Sequence, residues 1–251
     1  MNLRSLPCHL AAALVLVSLN GCILDLFFGG KKKDPGIRPV GAEQAALVQP
    51  DSNSDFDKVK EPKISADTLF AAGQLHESQN NVPAAIAQYQ GAIKVNDQHH
   101  GALYRLGVLY ATTKNYPEAV KTWKRYIEVT HQSAVGYSNL GFTYELSGDP
   151  VQAERAYRTG IERDSDSAPC RINYGLMLAR HGQIEAGIAQ MQSVLSEAEI
   201  HFNIGSVHEG LGRKELARLE YQKALELDPK LKDASIRLQK LDSVTAVNPQ
   251  E

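Results

Sequence analysis

Glycine returns along this chain at a spacing that few folds accommodate. Gly73, Gly107, Gly141 and Gly175 stand 34 residues apart, and Gly205 follows 30 residues after the last of them. Twelve positions beyond each glycine stands a small residue: Ala85, Ala119, Ala153, Gly187 and Ala217. Sixteen positions beyond stands a large one: Tyr89, Trp123, Tyr157, Met191 and Tyr221. A helix interior disfavours glycine by about 1 kcal/mol relative to alanine, so a glycine kept in register must be offset by a contact. The pattern predicts pairs of short helices that cross where the small residues stand, with the large side chain filling the gap beside them. A period near 34 residues is that of stacked helix pairs. Turn signals agree. Pro83, Pro117 and Pro150 fall where the second helix of a pair begins, and a first turn tolerates the missing N–H. Gly148, Gly182 and Gly212 fall where the first helix ends.

Three stretches carry a family resemblance: Leu106-Gly107-Val108-Leu109-Tyr110, Leu140-Gly141-Phe142-Thr143-Tyr144 and Ala224-Leu225-Glu226-Leu227-Asp228-Pro229. With them, residues 66–231 resemble the tetratricopeptide repeat family. The resemblance implies an all-α fold, a right-handed superhelical solenoid of about five helix-turn-helix units over 66–99, 100–133, 134–167, 168–197 and 198–231. Unit four departs from the pattern: Gly187 and Met191 replace the usual alanine and ring, and four residues are missing near Leu195-Ser196-Glu197. A shortened second helix or a clipped turn is expected there. Leu231, Ala234, Ile236, Leu238 and Leu241 then mark one more amphipathic helix, about 230–243, within a capping segment 232–251. Such a helix covers the exposed end of a solenoid.

The resemblance also implies that first helices line a concave groove, with ligand positions on either side of the glycine. Carried over residue by residue, these are Phe70, Tyr104, Arg105, Asn139, Phe142, Ile172, Asn173, Leu176, Phe202 and Asn203. Asn139, Asn173 and Asn203 form a ladder of amides, each able to donate and accept. A row of that kind suits the backbone of a peptide or helix. Two alternatives stand beside this reading: the apolar positions pack into the neighbouring unit, and the asparagines bond within the array. The clamp of cations that some relatives use for a terminal carboxylate is reduced here to Arg105 and Arg180.

Other chemistries find little support. Net charge is −2 with both signs mixed, which gives no basic stripe for nucleic acid. No nucleophile elbow, zincin motif or phosphate loop occurs, so neither an enzyme nor a cofactor, metal or small-molecule substrate is expected. His99-His100 falls at a turn between units and is read as solvated. His76 and His208 stand where Tyr110 and Tyr144 stand, and are read as packing residues.

The first residues read as a leader. Arg4 precedes the apolar run Leu10 to Leu19, and Leu19-Asn20-Gly21-Cys22 resembles a bacterial lipobox. The resemblance implies a lipoprotein signal peptide over 1–21, acylation of Cys22 and anchoring in a membrane by several acyl chains, each buried CH₂ contributing about 0.8 kcal/mol. Ile23 after the modified cysteine is compatible with outer-membrane sorting. A plain cleaved signal and a signal anchor over Leu10–Phe28 are the alternatives. Asn20, Asp25 and Lys31-Lys32-Lys33 argue against the anchor. Residues 22–65, rich in proline, glycine and polar residues, read as a tether. Cys170 is then the one thiol left in the mature chain, and is read as a small buried apolar residue.

With lipobox, tether and short array together, the chain resembles the TadD lipoproteins of tight-adherence (Flp) pilus systems, and in plan the pilotins of type IV pili. This implies a scaffold that binds a segment of another envelope protein and helps assemble a pilus- or secretion-type machine. An adaptor that regulates cell-wall hydrolases or proteases is the alternative.

Overall fold

A computed structural model describes residues 64–247, with side chains to 243. The segment expected to be a leader (1–21), Cys22, the expected tether as far as residue 63, and the tail beyond 247 lie outside the described residues. Within them the chain forms eleven α-helices and no strand: α1 Ala66–Ser78, α2 Val82–Val95, α3 His100–Thr112, α4 Tyr116–Val129, α5 Ala134–Leu146, α6 Pro150–Arg163, α7 Ala168–Arg180, α8 Ile184–Met191, α9 Glu197–Gly210, α10 Lys214–Leu227 and α11 Lys232–Val247. No helix among the described residues is long and apolar enough to cross a membrane. Two compact units share these helices, and the division falls inside α7, after Asn173.

In the unit ending at Asn173, α1 packs on α2, α3 on α4 and α5 on α6. The repeated residues make each crossing. Ala85, Ala119 and Ala153 are wholly buried, as are Tyr89, Trp123 and Tyr157. A Cβ placed on Gly107 would stand 2.5 Å from Cε2 of Trp123, so the indole occupies the space that a side chain would need. Gly73 and Gly141 meet Tyr89 and Tyr157 in the same way. Pro83, Pro117 and Pro150 sit in the first turns of α2, α4 and α6.

Each buried tyrosine also needs a partner for its hydroxyl. Tyr89 donates to Glu77 Oε2 at 2.7 Å and Tyr157 to Glu145 Oε1 at 2.6 Å. Both glutamates stand four residues after the glycine of their unit. Where the ring is Trp123, that position is Ala111, and the indole Nε1 is buried with no hydrogen-bond partner. Arg105, at the start of the next pair, grips Glu77 with Nε on Oε2 at 2.9 Å and Nη2 on Oε1. This link ties the first pair to the second. Burial, and then the bond to Glu77, pushes the Tyr89 hydroxyl far above its ordinary pKa. Burial works against the Arg105 charge, but Glu77 more than offsets it and the guanidinium pKa rises.

His99 corrects the expectation of a solvated turn residue. Its Nδ1 accepts the N–H of Ala102 at 3.1 Å and so caps α3, while Nε2 lies 3.3 Å from Asp67 Oδ1. The ring packs on Phe70 with centroids 4.8 Å apart.

The residue seven after the repeat glycine is left-handed in these pairs. Gly148 has φ 81°, but Lys114 has φ 62° at the equivalent place in its unit. A side chain there costs about 1–2 kcal/mol. Lys114 is exposed, so Lys114→Gly is expected to raise stability by about 0.5–1 kcal/mol after the entropy it returns to the unfolded chain. Thermal unfolding of the two forms measures this.

Cys170 is buried, and its Sγ donates to the carbonyl of Ala134 at 3.1 Å. Burial pushes the thiol up to about 11 from an ordinary 9. The folded chain keeps this proton where the unfolded chain has released it. Its contribution to stability is therefore complete below pH 9 and drains away as the pH climbs toward 11. Cys170→Ala is expected to flatten the fall in stability across that window, as urea midpoints at each pH would report.

In the unit beginning at Tyr174, α9 and α10 form a full pair around Gly205, Ala217 and Tyr221. The pair before it is clipped, as the missing residues lead one to expect. Its second helix, α8, has eight residues against fourteen in α10. The chain is four residues shorter here. The two helices also meet backbone to backbone: a Cβ on Gly187 would stand 2.5 Å from the carbonyl oxygen of Gly175, whereas a Cβ on Gly73, Gly107, Gly141 or Gly205 would meet a ring first. α9 opens with a capping box between Ser196 and Glu199. α11 closes the unit on α10: Ala234 and Leu241 are buried, and Arg218 bonds Asp242 at 3.0 Å. His208 is buried and His76, in the other unit, is half-buried.

Candidate binding pocket

The ten candidate ligand positions do not share one environment. In the unit ending at Asn173, Phe70, Tyr104, Phe142 and Ile172 are half-buried. Phe70 rests on Tyr89, with centroids 5.5 Å apart, and Tyr104 meets Trp123 edge-on at 5.4 Å. Phe142 packs against the core of the same unit. Arg105 spends its fork on Glu77, as described above. The amide ladder is corrected as well. Asn139 and Asn173 are each 1% exposed and Asn203 is buried, so the three are not an open row. The position is not covered in every pair: Ala71 there is exposed and Arg105 half-buried, whereas Ser138 of α5 covers Asn173. Asn173 Nδ2 donates to Ser138 Oγ at 2.9 Å, and Asn203 Nδ2 to the Glu199 carbonyl at 2.8 Å. Both side-chain polar atoms of Asn139 are buried without a hydrogen-bond partner.

Leu176, Phe202 and Asn203 do come together. They line a pocket of about 470 Å³ in the unit beginning at Tyr174. Three helices and one turn build it. α7 supplies Leu176 and Arg180; α9 supplies Phe202, Asn203, Ser206, Val207 and Gly210; Leu211 follows; α11 supplies Asp233, Ile236 and Arg237. Leu176 and Val207 are buried at the base, whereas Leu211 is 41% and Ile236 61% exposed. The sequence pattern gave no ligand role to Leu211, Ile236 or Arg237. The wall is held in place by the same tyrosine-glutamate-arginine link as in the first pair. Tyr221 donates to Glu209 Oε2 at 2.7 Å, and Arg237 Nη1 donates to Glu209 Oε1 at 3.3 Å. Burial is the main cause that raises the Tyr221 hydroxyl far above its ordinary pKa.

Two other depressions, of about 580 and 830 Å³, lie on the unit ending at Asn173. They hold more space but are open, and charged residues such as Lys121, Lys124, Glu128 and Arg163 line them. Water solvates such walls well, so they offer an apolar partner little. The α7/α9/α11 pocket is the one of the three with an apolar floor and an apolar rim. Among the described residues, no group of three or more His, Cys, Asp and Glu is placed to hold a metal ion.

Residues 70–130 and 198–231 each match the tetratricopeptide repeat family. No curated protein matches the chain. Among solved structures, the chain is similar to a thermophilic TPR protein of Thermus thermophilus, with 23% identity, a TM-score of 0.54, and coverage of 70% of this chain and 98% of that one. It is also similar to a tetratricopeptide repeat protein of Parabacteroides merdae, with 19% identity, a TM-score of 0.53, and coverage of 70% and 71%. These likenesses concern the fold. With the helix crossings built from its repeated glycines, the chain has the all-α fold of stacked tetratricopeptide repeats, and its segments 70–130 and 198–231 match that family.

Proposed function

We propose that this protein is a membrane-anchored scaffold that holds an apolar stretch of another envelope protein in the α7/α9/α11 pocket. The observation that carries the reading is the pocket itself: apolar side chains from three helices, two of them well exposed, around about 470 Å³. That volume falls within the range of about 300–1,000 Å³ common for ligand sites. Exposed apolar surface of this kind gains by being covered, at roughly 25 cal/mol per Å². An amphipathic helix presenting apolar side chains one turn apart is the form of partner that suits a wall made of helices.

The anchor in this reading is Cys22, acylated after cleavage at Gly21. The resemblance to the TadD lipoproteins supports a role in assembling a pilus- or secretion-type machine of the bacterial envelope, on the periplasmic face of the outer membrane where the cell has one. Cys22→Ser is expected to release the protein from membranes, and unchanged retention on fractionation would remove the lipid anchor.

Ile236→Asp tests the pocket. Ile236 is exposed, so the change leaves the fold intact while it puts a charge on the apolar rim. Crosslinked pull-down from envelope extract is expected to recover a partner with the native protein and to lose most of it with the variant. Equal recovery by both forms would contradict the reading. Pilus or secretion components in the native sample favour assembly; hydrolases or proteases there favour the adaptor.

A further inference from the structure

The inference rests on the binding reading of the α7/α9/α11 pocket and adds the chemistry of its occupant. Two arginines stand at matching places, each 28 residues after the glutamate that it pairs with. They are used differently. Arg105 grips both carboxylate oxygens of Glu77 through Nε and Nη2. Arg237 gives Glu209 a single bond, from Nη1 to Oε1 at 3.3 Å. No other described residue takes its remaining N–H groups, and Arg237 lines the pocket. A guanidinium carries five donors in a fixed fork. On the wall of an apolar pocket, an open edge of that fork fits a carboxylate, which accepts two parallel N–H bonds.

The surrounding charges allow this. Glu209 already accepts from Tyr221 and from Arg237. Asp233 lies in the first turn of α11, where the helix N-terminus offsets a negative charge. Arg180 brings a second cation to the lining, from α7. We propose that the occupant is an apolar segment of another protein with an Asp or Glu side chain inside it. The carboxylate bonds the open edge of Arg237, and neighbouring apolar side chains rest on Leu176, Phe202 and Ile236. The commitment is to an internal side chain, because a lining drawn from three helices leaves apolar contact for residues on both sides of the carboxylate.

The probe is a library of random peptides, about twelve residues long, displayed on phage and selected on the immobilised full-length protein, with the Ile236→Asp protein as counter-selection. Peptides that depend on Ile236 are expected to combine apolar residues with an internal Asp or Glu. A selected peptide, synthesised with an amidated C-terminus, is expected to lose about tenfold in affinity when its acidic residue becomes the corresponding amide. Arg237→Lys keeps the charge beside Glu209 but removes the fork. It should weaken the acidic peptide by a similar factor and leave the amide version unchanged. An amide version that binds as tightly as the acidic one, while both still depend on Ile236, overturns this inference and leaves the pocket standing. Binding that appears only with a free C-terminal carboxylate overturns it too. A selection in which no peptide depends on Ile236 overturns the pocket and this inference together.

Discussion

Trp123→Ala is expected to cost about 3–5 kcal/mol, the range for emptying a large aromatic site. Trp123 is fully buried and meets Tyr104 and Tyr126 edge-on at 5.4 and 5.7 Å. It also fills the space above Gly107, which has no side chain to move into the void. Alanine would leave a cavity between the paired helices that only backbone movement could close. Trp123 is the single tryptophan of the chain, so the loss must be read by circular dichroism rather than by native fluorescence. Urea unfolding should show the midpoint falling for the transition that involves the α3/α4 pair. A cost below about 1 kcal/mol would mean that the indole is not what holds that pair.

Gly187→Ala is the second large effect, and its sign runs against the pattern of the repeat. Alanine is what Ala85, Ala119, Ala153 and Ala217 show at this place, so the change restores the common residue. It is nevertheless expected to cost about 3 kcal/mol, the upper end for overpacking. The new Cβ would meet the carbonyl oxygen of Gly175 at 2.5 Å and the Ala179 nitrogen at 3.3 Å. Both are backbone atoms and cannot rotate away. Met191 stands where the other pairs have a ring, so the α7 and α8 backbones close in on each other. Thermal unfolding of the variant measures the cost. A neutral or stabilised Gly187→Ala would show that the clipped pair crosses like the rest.

Much of the fold could be read from residue types alone, because close packing leaves a mark that spacing reveals. Glycine, alanine and ring recur together in four of the five units because the ring fills the space that the glycine leaves open. The four missing residues of unit four showed up as the short α8 for a simpler reason: loop and helix length are written directly in the count. The hydroxyl partners are written in the spacing as well. Glutamate stands four after the glycine in Glu77, Glu145 and Glu209, where the ring is tyrosine, and alanine stands there in Ala111 and Ala179, where it is Trp123 or Met191.

The site was less legible. Asn139, Asn173 and Asn203 look like surface amides in a sequence, and only the packed structure shows that all three are buried. The repeat pattern points to Leu176, Phe202 and Asn203 but not to Leu211, Ile236 or Arg237 on the far wall. Ile236 carried a usable sign. Ala234, Leu238 and Leu241 fall on one helical stripe, which packs on the repeat, and Ile236 lies two residues out of phase with it. An apolar residue on the wrong side of a capping helix points to something other than capping.

Gly73, Gly107, Gly141 and Gly205 have no side chain because a ring occupies the space beside each. A double-mutant cycle on Gly107 and Trp123 tests it most directly. Gly107→Ala alone should cost about 1–3 kcal/mol, since its Cβ meets the indole. In a Trp123→Leu background the same change should cost at least about 1 kcal/mol less, because the smaller side chain makes room. Costs that simply add, to within about 0.5 kcal/mol, would contradict the account, since the glycine would then be serving something other than the ring.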